Sequence, residues 1–377
     1  MPNYLGLTWD HPRGKNALRA AADRERASGS DLDLRWDDQP LEGFETHPIA
    51  ELAQRYDLIV LDHPHLGEAI TSSALRPMDD VVAPDLIAAW RAQSIGQSFA
   101  SYEATGRQWA VPLDAATRVA VYKPGLIEAP PRTWGEVKEL AMAAPVAFSL
   151  AGPHAFLTFA SMYSAITGGH GRSAAELVSG SASAEVLELM RVIGAGSASL
   201  FADQNPIAML EAMRDSDDIA YCPLIYGYVN YSGEELRFTD VPAADGSRTQ
   251  PGSVLGGTGL ALSRHCEPTE ALIRHIAWLM SDEAQSGFIP QHDGQPSSRA
   301  AWLDPVIDHE SSRFYSGTLA TIESSWIRPR NPGYISFQNS ASATVRDVVL
   351  RRIDVHTGLT RLRKLARTVA PMQDDSA

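Results

Sequence analysis

Residues 56–65 read Tyr-Asp-Leu-Ile-Val-Leu-Asp-His-Pro-His. Tyr56–Leu61 reads as a continuous apolar run closed by a turn signal. Such a run marks a strand buried on both faces. Strands of that kind lie in sheets covered by helices, so this segment predicts an α/β fold. Working upstream, Tyr4–Thr8 and Leu32–Trp36 read as strands. The segment Asn16–Arg26 between them is helical, with Leu18 among alanines and charges opposite. Downstream, Leu86–Ser94 reads as a helix. Short apolar strands alternating with amphipathic helices predict a largely parallel sheet.

The next block reads as a second lobe. Val119–Tyr122, Pro145–Leu150 and Ile219–Cys222 are its strands, and Ala155–Ile166, Ala184–Ile193 and Pro206–Met213 its helices. Thr133 is a good N-cap, and Glu136 three residues on completes a capping box. Leu255–Ser263 is a strand with a glycine-rich start. Thr269–Met280 and Asp282–Phe288 are helical, the chain from Ser311 is mainly helical, and Met372–Ala377 is a loose tail. There is no internal repeat. At 377 residues the chain exceeds the size at which one core usually keeps growing, so two lobes are expected.

Hydrophobic residues make up 44% and charged residues 21%, ordinary globular values. The formal charge of −14 repels phosphate backbones and argues against nucleic acid as a partner. The two cysteines, Cys222 and Cys266, fit no zinc or redox spacing and read as buried thiols, with a disulfide left open. No stretch is long enough to span a membrane. The opening MPNYLGLTWDHPRG enters a strand within a few residues of Met1, leaving no room for the apolar part of a secretory signal. The expected location is periplasmic if a signal has been removed and cytoplasmic if Met1 is native.

Four segments carry a resemblance: YDLIVLD (56–62) with LRPMDDVV (75–82), RQWAVPLDAATRVAVYKPGLI (107–127), PPRTWGEVKELA (130–141) and GGTGLALSRHCEPTEALIRHIAWLMSDEAQSGF (256–288). In this order the chain resembles the family 1 extracellular solute-binding proteins of ABC importers, the maltose-binding type. The resemblance implies a two-lobed periplasmic-binding-protein-like fold with a ligand cleft between the lobes. It implies crossing segments near residues 110–118 and 250–258. The first lobe would then comprise 1–112 plus 256–310, and the second 113–255 plus 311–377.

In open α/β sheets ligands sit beyond the carboxyl ends of strands. After the first strand come Trp9, Asp10, His11 and Arg13. After the YDLIVL strand come Asp62, His63 and His65. An aromatic plate beside carboxylates and imidazoles suits a polyol, whose apolar face stacks while its hydroxyls make charge-assisted hydrogen bonds. The same residues also read as loop and helix caps. Asp114, Thr117 and Arg118 either face the cleft or pin the hinge. Tyr221, Tyr226, Tyr228 and Tyr231 follow a second-lobe strand, and Tyr226 and Tyr228 are the candidates for the cleft wall. Gly256–Gly259 lacks the Lys-Ser/Thr ending of a phosphate loop and reads as close backbone approach, with Gly257 and Thr258 at the ligand. The resemblance brings the loop with His292 and Gln295 near the cleft.

His11, Asp62, His63 and His65 are chemically able to bind a metal, but no compact ligand motif holds them, and no metal or cofactor is expected. There is no GxSxG elbow, and no catalytic residue is assigned. The expected function is binding a small polar, carbohydrate-like solute for ABC-type uptake, with ABC importer membrane subunits as partners. The alternative is a cytoplasmic enzyme or sensor on the same fold, in which His11, His63 and His65 would act as general acid or base on a sugar or hydroxy acid.

Overall fold

The computed structural model describes residues 3–168, 173–244, 246 and 253–369. The tail Met372–Ala377 and residues 250–252 of the second expected crossing lie outside the described residues. The strands are β1 (Asn3–Trp9), β2 (Asp33–Gln39), β3 (Leu58–Leu61), β4 (Leu75–Arg76), β5 (Glu103–Ala104), β6 (Arg107–Gln108), β7 (Ala110–Tyr122), β8 (Tyr221–Tyr226), β9 (Arg237–Thr239) and β10 (Leu255–Ser263). The main sheet runs β2-β1-β3-β10-β7-β8, with β4 on β10 and β9 on β7, while β5 and β6 form a separate hairpin.

β3 is buried at every residue. Leu58 and Val60 enter the core that holds Trp36 and Leu260, whereas Ile59 and Leu61 enter the one that holds Leu7 and Tyr102. The unbroken apolar run is thus a strand with a core on each face. The largely parallel sheet needs correction. β1 pairs with β2 and β3 in parallel, but β10 runs antiparallel to β3 and β7, and β8 and β9 are antiparallel to β7. Burial pattern is a property of one strand, whereas direction depends on a distant partner.

β7 contains the first expected crossing segment, and β10 contains the end of the second. Ala110–Thr117 of β7 pairs with β10, and Arg118–Tyr122 of the same strand pairs with β8 and β9. The sequence pattern stops this strand short at Val119 because Pro112, Asp114, Thr117 and Arg118 interrupt the apolar run. All four are buried, and Asp114, Thr117 and Arg118 find hydrogen-bond partners elsewhere in the fold. Gly256–Gly259 lies at the start of β10, whose bounds are those expected, with a register shift at Thr258/Gly259. Gly257 has φ +96°, and a Cβ there would stand 2.7 Å from the Asp114 carbonyl oxygen, so glycine is required.

Pro145–Leu150 forms no strand and makes only a single bridge, Val146 to Tyr221. The capping box is present, with the Thr133 side chain accepting from the Glu136 amide. The first helix starts at Pro12, earlier than expected, because His11 caps it by accepting from the Arg13 amide. Asp282–Phe288 contains a π-helical turn, Ala284–Phe288. A separate core joins the helices His154–Thr167, Ala182–Ile193, Tyr334–Val349 and Val355–Ala366 through Phe156, Leu187, Phe337, Val345 and Leu362. Cys222 and Cys266 are buried free thiols. No helix among the described residues is long and apolar enough to cross a membrane.

Candidate functional site

The parallel strands β1 and β3 end side by side, and β10 lies next to β3. A pocket opens beyond them, holding about 430 Å³ of free space with its mouth included. It is lined by Trp9 at the end of β1 and Arg13 after it, by Leu41, Phe44 and Glu45 after β2, and by Asp62 after β3. Ala116, Tyr226, Tyr228 and Gly256–Thr258 close it from the crossing strands and the chain after β8.

Its walls are aromatic. Trp9 stands 5.9 Å from Phe44 and 6.0 Å edge-on to Tyr228. Tyr226 lies flush on Gly256, where a Cβ would meet its ring at 2.4 Å. The Tyr226 hydroxyl is buried with no hydrogen-bond partner among the described residues. Burial pushes its pKa up to about 12, so it is a neutral donor.

The charges come in sets. Arg13 donates through Nε to Asp114 Oδ2 at 2.7 Å and through Nη1 to the Gly227 carbonyl at 3.0 Å, its guanidinium 4.9 Å over Tyr228. Asp114 Oδ1 in turn accepts from the Thr258 amide at 2.8 Å. Asp62 receives the Arg328 guanidinium on Oδ2, and His63 Nδ1 lies 3.1 Å from Oδ1. Burial alone would raise the Asp62 carboxyl, but Arg328 and His63 outweigh it and hold the group well below its ordinary value. Glu45 Oε1 lies 3.1 Å from His154 Nε2, and the other ring nitrogen of His154 is 3.5 Å from Arg118 Nη1. Arg118 also donates to Thr158 Oγ1 at 2.6 Å and to the Leu224 carbonyl at 2.7 Å. Burial brings its pKa down to about 10, which leaves it cationic at neutral pH. Arg13 and Arg328 thus pair directly with Asp114 and Asp62, while Arg118 is linked to Glu45 through His154, so three guanidinium groups accompany three carboxylates.

Of the residues expected from sequence, Trp9, Arg13, Asp62, Tyr226, Tyr228, Gly257 and Thr258 line the pocket. The others do not. Asp10 is exposed and pairs with Lys15. His11 caps the first helix and stacks on Trp9 at 5.1 Å. His63 and His65 are buried beneath the strand end, and His63 Nε2 accepts from the Arg328 amide at 3.2 Å. Burial lowers His11 and His63 to about 4 and lowers His65 as well, so these imidazoles are neutral at physiological pH. Asp114 and Arg118 sit behind the wall as braces of the crossing strands. His292 stacks on Phe288 at 4.1 Å, away from the pocket. Gln295 braces β7, donating to the Ala115 carbonyl at 2.6 Å and accepting from the Val229 amide. Tyr221 is fully buried.

Leu41, Phe44, Glu45, Ala116 and Gly256 were missed. The strand-end rule applied to β1 and β3 would have found the first three after β2, where LEGFET places Leu41, Phe44 and Glu45 on one helical face. No local signal announces Arg328 or His154. Among the described residues, no group of three or more His, Cys, Asp or Glu side chains is arranged to hold a metal ion.

The fold matches known solute-binding proteins along nearly its whole length. An ABC-transporter solute-binding protein from Agrobacterium radiobacter K84, in complex with ribitol, is 17% identical with a TM-score of 0.79, covering 97% of this chain and 98% of its own. A maltose-bound protein of T. maritima is 14% identical with a TM-score of 0.79, covering 97% and 99%. The maltotriose-binding protein of Thermus thermophilus, bound with maltotriose, is 16% identical with a TM-score of 0.74, covering 97% and 99%. At these identities the likeness establishes the two-lobed α/β fold. No curated protein matches the chain in sequence. Residues 46–301, well over half of the chain, match the bacterial extracellular solute-binding proteins, and the chain belongs to that family.

Proposed function

We propose that this protein captures a neutral, hydroxyl-rich, carbohydrate-like solute between its lobes and presents it to an ABC-type importer. The observation that carries this reading is the make-up of the pocket. Aromatic faces of Trp9, Phe44, Tyr226 and Tyr228 stand beside the carboxylates of Asp62 and Glu45. Ring faces suit the C–H side of a sugar, and carboxylates are strong acceptors for its hydroxyls. The balance of three guanidinium groups against three carboxylates favours an uncharged ligand, because a net charge would enter a buried site with no free counter-ion. The ribitol, maltose and maltotriose of the structural neighbours are ligands of this chemical kind.

In this reading the first lobe is 1–112 with 256–310, and the second is 113–255 with 311–377. β7, which runs from one lobe into the other, and the start of β10 paired with it are the natural hinge for closure. The family is extracellular, which supports action in the periplasm or outside the cell. Native mass spectrometry of protein purified from its own organism tests the reading. Release of a neutral polyol or sugar is expected, and release of an anionic or purely apolar compound would overturn it. Fractionation with an antibody to the chain tests the location, and retention in the cytoplasm would remove the importer role.

A further inference from the structure

The chain carries a formal charge of −14, yet residues 346–367 hold seven cations against two carboxylates. That segment is a formal +5, and the rest of the chain is −19. It comprises the end of the helix Tyr334–Val349, a turn, and the helix Val355–Ala366. Leu359, Leu362 and Ala366 are buried in the core that holds Phe337 and Val345. The outer side of the same helix is exposed and carries Arg361, Lys364 and Arg367 at three-residue spacing. Arg351 and Arg352 are exposed at the turn before it. Arg352 pairs with Asp347 at 3.3 Å, and Arg363 donates through Nε to the Val178 carbonyl at 3.2 Å. Arg351, Arg361, Lys364 and Arg367 have no ion-pair partner among the described residues. The other carboxylate, Asp354, caps the helix and accepts from the Thr357 amide at 2.8 Å.

The helix dipole accounts for cations in a last turn, here Arg363 and Lys364. It does not account for Arg351 and Arg352, which precede the helix, nor for the lack of carboxylates on its outer side, since solvated surfaces ordinarily intersperse both signs. Protein interfaces are anchored by aromatic or aliphatic side chains. The exposed large hydrophobic residues, among them Met142, Leu200 and Val306, all lie outside this segment. Cations without such an anchor suit a diffuse layer of negative charge rather than a shaped protein partner.

We propose that this face docks the protein reversibly on an anionic phospholipid surface, its guanidinium and ammonium groups meeting headgroup phosphates. The helix offers a contact about 18 Å long. The −19 remainder of the chain is repelled by the same surface, which orients the molecule with this helix toward the lipid. None of these residues lines the aromatic pocket, so docking leaves the pocket free.

The test is co-sedimentation of the full chain with vesicles of phosphatidylcholine alone and of equal parts phosphatidylcholine and phosphatidylglycerol. Each cation near an anionic surface contributes on the order of fivefold in partitioning. Binding to the phosphatidylglycerol vesicles is expected to be at least about tenfold the stronger at low salt, and to fall away at about 0.5 M salt. Arg361→Glu with Lys364→Glu is expected to bring it to the phosphatidylcholine level. Arg361→Lys with Lys364→Arg should keep it, as should the charge-matched control Arg264→Glu with Arg274→Glu, which reverses two exposed cations elsewhere. Equal binding to both vesicles, or binding that survives R361E/K364E, overturns the proposal. Binding that appears only in Asp374→Asn with Asp375→Asn assigns the face to the chain's own acidic tail and overturns it too. Neither the face nor its test involves the pocket, so failure here leaves the proposed function standing.

Discussion

Asp62→Asn separates the structural and ligand-binding roles of the central carboxylate. Asp62 shares its buried position with Arg328, whose side chain is 2% exposed. Removing one partner of a buried ion pair leaves the other charge uncompensated, at a cost of about 3–5 kcal/mol. Asn can still hydrogen-bond to Arg328, and Asp62 is itself 19% exposed, so the lower end, about 3 kcal/mol, is expected. Asp62→Asn combined with Arg328→Met removes both charges. The double variant should recover part of the loss, with a coupling energy of roughly 0.5–3 kcal/mol in urea unfolding. Ligand affinity should behave differently. Losing a charged acceptor costs about 1.5–3 kcal/mol, roughly ten- to 150-fold in Kd, and calorimetry should find no recovery in the double variant. Strictly additive stability changes would refute the ion-pair argument. Unchanged affinity for a ligand identified by mass spectrometry would refute the pocket assignment.

Three further perturbations probe the wall, the strand β10 and the buried histidines. Tyr226→Phe deletes a buried hydroxyl that no described residue engages, so stability should stay within about 0.5 kcal/mol, while affinity drops roughly two- to tenfold; Asp10→Ala, whose carboxylate pairs with Lys15 at the surface, serves as the control with unchanged affinity. Gly257→Ala imposes a positive φ and a clash with the Asp114 carbonyl, and should lower stability by about 1–3 kcal/mol; a urea midpoint equal to the parent's would contradict the strained strand. His11 and His63 are lowered from 6.5 to about 4, so between those pH values the unfolded chain takes up protons that the folded chain refuses. Stability is therefore full above pH 6.5 and is lost as pH falls toward 4, by roughly 3 kcal/mol for each histidine. Urea midpoints from pH 7.5 to 4.5 should show the decline, and His63→Asn should flatten it; an unaltered slope would mean that His63 does not carry it.

Some of this molecule was legible from its sequence. The run Tyr56–Leu61 and the strand-helix alternation announce an α/β lobe because burial on two faces requires apolar residues at successive positions. The Thr133/Glu136 box marks a helix start because capping is satisfied within four residues. Trp9, Arg13 and Asp62 were accessible because parallel strands bring the residues at their carboxyl ends to a common edge. These are local statements, and local chemistry is enough to make them.

The tertiary structure decided everything that depends on a distant partner. β10 runs against β3 and β7 in a direction that its own residues do not encode. Asp10 and Asp62 have the same side chain at equivalent strand ends. Lys15, five residues away, takes the first to the surface, and Arg328, 266 residues away, fixes the second at the pocket. The three histidines after β1 and β3 could have been acids, bases or ligands by their chemistry alone. Burial among arginines makes them neutral braces, because a buried imidazolium beside a guanidinium is too costly to form.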